Sequence, residues 1–198
     1  MLGRLAGRLR LPIALVVLPI LVMAAGVTTA IAQQYDAPVE DYSAYQPAKK
    51  CRDSVRPGTR VLSKWIDRRF SGGDAIPSLR SCASGGASEH KEGRAIDWMM
   101  DAGKKKHRAE VRRFLDRLFA EDGAGNAHAR ARRMGVMYVI WNDHMYASYD
   151  RFEKRDYLSS SCPSKAKCSK TLRHRDHVHI SLSRPGGRGD TSWYAGRL

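Results

Sequence analysis

The stretch Ser88-Glu89-His90-Lys91-Glu92-Gly93-Arg94-Ala95-Ile96-Asp97-Trp98 joins a histidine, a turn residue and a short apolar run that carries a carboxylate. Gly93 lets the backbone turn tightly, and the run that follows, Arg94 to Met100, reads as a strand that returns Asp97 beside His90. Alternation puts Ala95 and Asp97 on one face and Ile96 and Trp98 on the other. Small Ala95 leaves room next to the aspartate while the bulky pair packs a core. A carboxylate on an otherwise apolar strand is costly unless it is paired or binds a cation. A salt bridge to an arginine is the ordinary explanation, and a metal ion is the other.

A second stretch, His174-Arg175-Asp176-His177-Val178-His179-Ile180-Ser181-Leu182, decides between them. His177 and His179 lie two apart on a strand expected over His177 to Leu182, so they share a side, with Val178 and Ile180 on the other. Of the 7 histidines in the chain, three fall within His174 to His179. Together with His90 and Asp97 they make a metal site the preferred reading.

Two further strands are expected, Val136 to Trp141 and Met145 to Tyr149, with Asn142-Asp143 as the turn between them. Helical periodicity runs from Pro57 through Val61, Leu62, Trp65 and Ile66 until Ser71-Gly72-Gly73 stops it. It recurs at Val111, Phe114, Leu115, Leu118 and Phe119, a stripe read as core packing. Mixed order without strict alternation gives the α+β class, with a small, mostly antiparallel sheet and flanking helices.

The first 32 of 198 residues have the parts of a secretory signal: Arg4, Arg8 and Arg10, an apolar run from Leu11, and Ala30-Ile31-Ala32 as a cleavage site. An uncleaved membrane anchor is the competing reading, since about 20 apolar residues span a bilayer; Pro12 and Pro19 favour cleavage. Residues 33–50, polar and punctuated by Pro38 and Pro47, read as a linker. Residues 51–183 form the expected domain, and 184–198 an irregular tail. Four cysteines in an exported chain imply two disulfides. Cys162 and Cys168 lie close together across a Ser/Pro/Lys loop, which leaves Cys51 with Cys82.

The net charge of +15 suits a polyanionic partner outside the cell. The runs Lys104-Lys105-Lys106-His107-Arg108 and Arg130-Ala131-Arg132-Arg133 are dense enough to serve one, although solvated faces explain most such charge. Arg188-Gly189-Asp190 spells an adhesion motif that chance explains in an Arg- and Gly-rich tail. Trp141 and Tyr146 fit either a groove near the metal or core packing.

Ser-x-His-x-x-Gly-x-Ala-x-Asp at Ser88, His90, Gly93, Ala95 and Asp97, followed far along the chain by His-x-His at His177 and His179, resembles the signature of the Hedgehog/DD-peptidase fold. That group includes D-Ala-D-Ala carboxypeptidases, murein endopeptidases and lysostaphin-like enzymes, and the likeness is closest to secreted actinobacterial members with Asp-His-Val-His. The resemblance implies one Zn2+ per chain held by His90, Asp97 and His179. It implies a base at His177 or Asp176; the shared face with His179 favours His177 and leaves Asp176 as orienter or alternative. Arg80 and Ser88 are the implied substrate-binding residues, and His174 has a counterpart in some murein endopeptidases. The expected protein is a secreted, wall-associated monomeric peptidase acting on peptidoglycan or another anionic wall polymer. It would have no specific nucleic-acid partner, and would touch a membrane only if the N-terminal segment stays. A non-catalytic zinc-binding wall protein is the alternative. A secreted basic nuclease is a distant third, because Asn142-Asp143-His144 does not lay onto a ββα-metal hairpin and helix.

Overall fold

Proline is free at the first turn of a helix, where its missing N–H would have no partner, and α1 (Pro57–Arg69) begins on Pro57. It buries Leu62 and Ile66 one turn apart. The computed structural model describes residues 37–198; the secretory segment expected over 1–32 lies outside the described residues. After α1 come β1 (Ala75–Ile76), a 3-10 turn (Glu89–Glu92), β2 (Ala95–Trp98), α2 (Lys105–Phe119) and α3 (Ala129–Arg133). The rest is β3 (Val136–Trp141), β4 (His144–Ala147), β5 (Lys154–Asp156), β6 (Val178–Leu182) and α4 (Arg184–Arg188), with a last 3-10 turn at Ser192–Tyr194.

The class is α+β: among the described residues, six strands form one antiparallel sheet in the order β1-β2-β6-β3-β4-β5. The sequence alternation separates its two faces. Ile96, Trp98, Val139, Val178, Ile180 and Leu182 join Leu62, Ile66, Val111, Phe114 and Leu118 in the main core. Each such buried side chain is worth roughly 1.5–3 kcal/mol of transfer free energy. Trp98 is fully buried, donates its Nε1–H to the Gly73 carbonyl at 2.8 Å, and meets the Phe114 ring edge-on at 5.5 Å. The other face carries Asp97 and His179, with a smaller cluster of Met137, Tyr138, Ile140 and Ala147 beside them. A register shift between Val136 and Tyr138 places Met137 and Tyr138 together in that cluster.

The β3–β4 turn is the expected one, with Asn142 and Asp143 both at positive φ (47° and 66°), as a two-residue hairpin of the primed type requires. Asp143 also accepts two hydrogen bonds from Arg173, at 2.7 and 2.9 Å, which ties the turn to the segment leading into β6. The disulfides pair as expected, Cys51–Cys82 and Cys162–Cys168.

Residues 37–50, within the stretch read as a linker, lack regular secondary structure and lie as a strap bound to the domain. Ser43 N–H donates to Ser148 Oγ at 2.8 Å, and the N–H groups of Lys49 and Lys50 donate to Glu92 Oε1 at 2.9 and 3.1 Å. The C-terminal tail is likewise ordered, because Trp193 and Tyr194 supply apolar area that the core takes up. The second basic run is largely structural: Arg132 donates to the Glu40 carbonyl and Arg133 to the Ala37 carbonyl, both on the strap. Arg188 pairs locally with Asp190, and Gly189 caps α4 at positive φ. Among the described residues no helix is long and apolar enough to cross a membrane.

Candidate metal centre

His90 sits in the 3-10 turn that Gly93 ends. Gly93 has φ 64°, and a Cβ there would lie 2.5 Å from the Ser54 carbonyl oxygen, so both conformation and space require glycine. The His90 Nδ1 faces the Ser78 carbonyl oxygen and Ser78 Oγ, both at 3.0 Å. A carbonyl only accepts, so Nδ1 carries the proton and Nε2 turns inward. Asp97 and His179 are direct register partners across β2 and β6, which is why two residues 82 positions apart meet.

The three inward atoms form a small triangle. His90 Nε2 is 3.3 Å from Asp97 Oδ1, His179 Nδ1 is 3.1 Å from the same oxygen, and the two ring nitrogens are 3.2 Å apart. The side chains are 12%, 26% and 10% exposed in the order His90, Asp97, His179, so the group is shielded yet open on the aspartate side. Such a cluster of two imidazoles and a carboxylate is able to hold a metal ion.

Burial works against the Asp97 charge, but hydrogen bonds from His179 and His90 outweigh it and hold the carboxyl far below the usual carboxylate range. Burial also opposes charge on His90, whose hydrogen bond to Asp97 and the charge there nevertheless raise its pKa. Burial keeps His179 neutral. The site is thus built around one permanent negative charge, which invites a cation.

His177 stands at its edge, with Nε2 3.7 Å from Asp97 Oδ1 and Nδ1 2.7 Å from Asp176 Oδ1. Thr171 Oγ1 donates to the other Asp176 oxygen at 2.6 Å. β6 begins only at Val178, so Asp176, two residues ahead of it, escapes the strand alternation that would have turned it away. His174, at positive φ, sets its ring 4.8 Å from that of His177 in a tilted pair and meets the His179 ring edge-on at 5.6 Å. Burial, helped by the neighbouring imidazoles, pushes its pKa down to about 3. His174, His177 and His179 form a second group able to hold a metal.

Arg80 is exposed on the loop after β1, and its charge acts on His90. Ser88 precedes the 3-10 turn without a side-chain capping bond. Trp141 and Tyr146 line a groove of about 570 Å³ between α2 and the β3–β4 hairpin, on the helix side of the sheet and away from the triangle. Ser78, Ser181, Tyr138, Glu89 and Thr171 also serve the site and were not foreseen. Ser181 was findable, since it lies two after His179 on the same face. Tyr138 was not, because only the shifted register puts it there.

Residues 51–165, more than half of the chain, match the family model described as VldE, C-terminal domain. The matched segment contains His90 and Asp97 and ends before His177 and His179. No curated protein and no solved structure matches the chain.

Proposed function

The chain belongs to the family of the VldE C-terminal domain, and from the geometry of its site we propose that it is a secreted zinc-dependent peptidase acting on peptidoglycan peptides. The observation that carries the reading is the His90/Asp97/His179 triangle. Ligands about 2.0–2.1 Å from a tetrahedral zinc lie about 3.3–3.4 Å from one another, and the triangle's edges are 3.1 to 3.3 Å. The second nitrogens also fit, because His90 Nδ1 is held by Ser78 and His179 Nε2 by Ser181 Oγ at 2.8 Å, as ligating imidazoles require. When bound, zinc supplies Lewis-acid polarisation of an amide carbonyl and acidifies a water.

The chain's own groups do the rest. Asp176 accepts the Nδ1–H of His177 and so leaves Nε2 as the free base facing the cleft. Nε2 takes a proton from the attacking water and returns it to the leaving amine nitrogen. Thr171 fixes Asp176 for this work, which gives the carboxylate the part of orienter and His177 that of base. Exposed Arg80 suits a substrate carboxylate near the site, and wall peptides are rich in these. The excess of Lys and Arg favours retention on an anionic wall. Two disulfides are compatible with an extracellular setting.

Metal analysis of the purified chain and of His90→Ala, with release of fragments from purified peptidoglycan in the same samples, tests the reading. About one zinc per wild-type chain, lost in the variant together with fragment release, is expected. Zinc without release would instead favour a non-catalytic wall-binding protein, and no zinc uptake would end the metal reading.

A further inference from the structure

We propose that the groove between α2 and the β4–β5 edge binds a short glycan whose sugar rings carry a carboxylate. That such a glycan is a strand of the wall rests on the function proposed above; the preference for an anionic sugar does not.

Two elements build the groove. On α2 the side chains of Arg108, Arg112, Leu115, Asp116 and Phe119 recur at helical spacing and share one side. Facing them, His144 and Tyr146 alternate onto one face of β4, and Lys154 on β5 is the register partner of Tyr146. Trp141 closes the floor, and the Tyr146 ring lies 5.5 Å from that of Phe119. The base of the groove is therefore aromatic and its walls are charged. Its volume of about 570 Å³ lies within the roughly 300–1,000 Å³ of small-molecule sites.

The charges in the groove are not neutralised by the chain itself. Arg112, Asp116 and Lys154 make no ion pair and no side-chain hydrogen bond among the described residues. Arg108 gives one Nη to the Ala102 carbonyl at 2.7 Å and keeps its other donors. His144 Nδ1 donates to the Asn142 carbonyl at 2.7 Å, and Asp156, 3.7 Å from its Nε2, also meets Lys165 at 3.3 Å. The placement of the arginines works against the helix. α2 has no acid in its first turn, where the helix dipole favours one, and Arg108 and Arg112 repel each other across one turn. A bound anion relieves both penalties.

The ligand class follows from the mixture of groups. Two arginine forks suit a planar carboxylate. Asp116 repels a second anion close by and accepts instead from hydroxyls, which sugar rings offer in number. The aromatic floor takes the apolar faces of those rings. A nucleic-acid strand, with a charge at every phosphate, would set one of them against Asp116 while it met the arginines.

Calorimetry of the full chain at about 0.15 M salt tests the assignment. The probes are a peptide-free muramyl oligosaccharide with free lactyl carboxylates, its methyl ester, and a single-stranded DNA oligomer. Wild type should bind the acid about 10–100-fold more tightly than the ester. Arg112→Gln, on the exposed side of α2, should erase that difference and leave zinc content unchanged. Asp116→Ala should weaken binding of the ester, which keeps the hydroxyls and lacks the charge. Equal affinity for acid and ester in wild type, no binding of either, or a DNA oligomer bound more tightly than the acid and tighter still in Asp116→Ala would overturn the proposal. Absence of zinc or of fragment release, with sugar binding intact, would end the peptidase reading and leave the groove as the site of an anionic sugar.

Discussion

Each nitrogen of His177 has its own neighbour, and that divides its work. Nδ1 is 2.7 Å from Asp176, while Nε2 looks across 3.7 Å to the Asp97 oxygen that closes the metal triangle. On the proposed reading, a residue so placed handles protons without being needed to hold the cation. His177→Ala should therefore keep about one zinc per chain while kcat/KM on wall peptide falls about 10²–10⁴-fold. Loss of zinc in parallel with activity would make His177 a ligand, a part it could take through the second group, His174, His177 and His179. Asp97 differs in kind. It faces both His90 and His179, so removing it deletes the negative charge on which the site is built.

At the scale of elements, the site depends on a short turn more than on any strand. The 3-10 turn Glu89–Glu92 aims His90 inward and Glu89 toward Tyr138, and Gly93 closes it in the left-handed region against the Ser54 carbonyl. Gly93→Ala meets both a positive φ and a Cβ contact that nothing short of backbone movement relieves. Thermal or urea unfolding should show a loss of about 1–3 kcal/mol. Zinc affinity should fall as well, because His90 cannot keep its bond to Ser78 if the turn opens. Unchanged stability would mean that the turn relaxes freely. The β2–β6 pairing is the complementary element, since its register alone brings Asp97 opposite His179.

Across the whole molecule, Arg94 and Glu92 connect the strap, the sheet and the site. Arg94 donates to the carbonyls of Leu182 and Gln46, and Glu92 accepts from Lys49 and Lys50. Burial works against the Glu92 charge, but the Lys49 N–H, the Arg94 guanidinium and the Lys50 N–H outweigh it and lower the carboxyl below its ordinary value of 4.5. A carboxyl with a depressed folded pKa lets the unfolded chain take up the proton first. Its stabilisation is therefore complete above about pH 4.5 and is lost as pH falls through the lower folded value. Urea unfolding at about pH 7 and about pH 3.5 should show that loss in wild type and a smaller pH dependence in Glu92→Gln. An identical pH dependence in both proteins would remove Glu92 from the acid response.

The residues that carry the site were legible in the sequence because period two and a single glycine are local rules. His90, Gly93, Asp97, His177 and His179, the β3–β4 turn, both long helices and the cysteine pairing all follow from spacing and residue chemistry. The strap, the ordered tail and the structural use of Arg132 and Arg133 did not, since polar and proline-bearing segments become fixed only by partners distant in the chain. Tyr138 entered the site through a register shift in β3, and Glu89 through a buried arginine that satisfies two carboxylates at once. Spacing selects which side chains share a face; which faces then meet is decided by strand register and by the need to satisfy every buried charge, and both exist only in the folded chain.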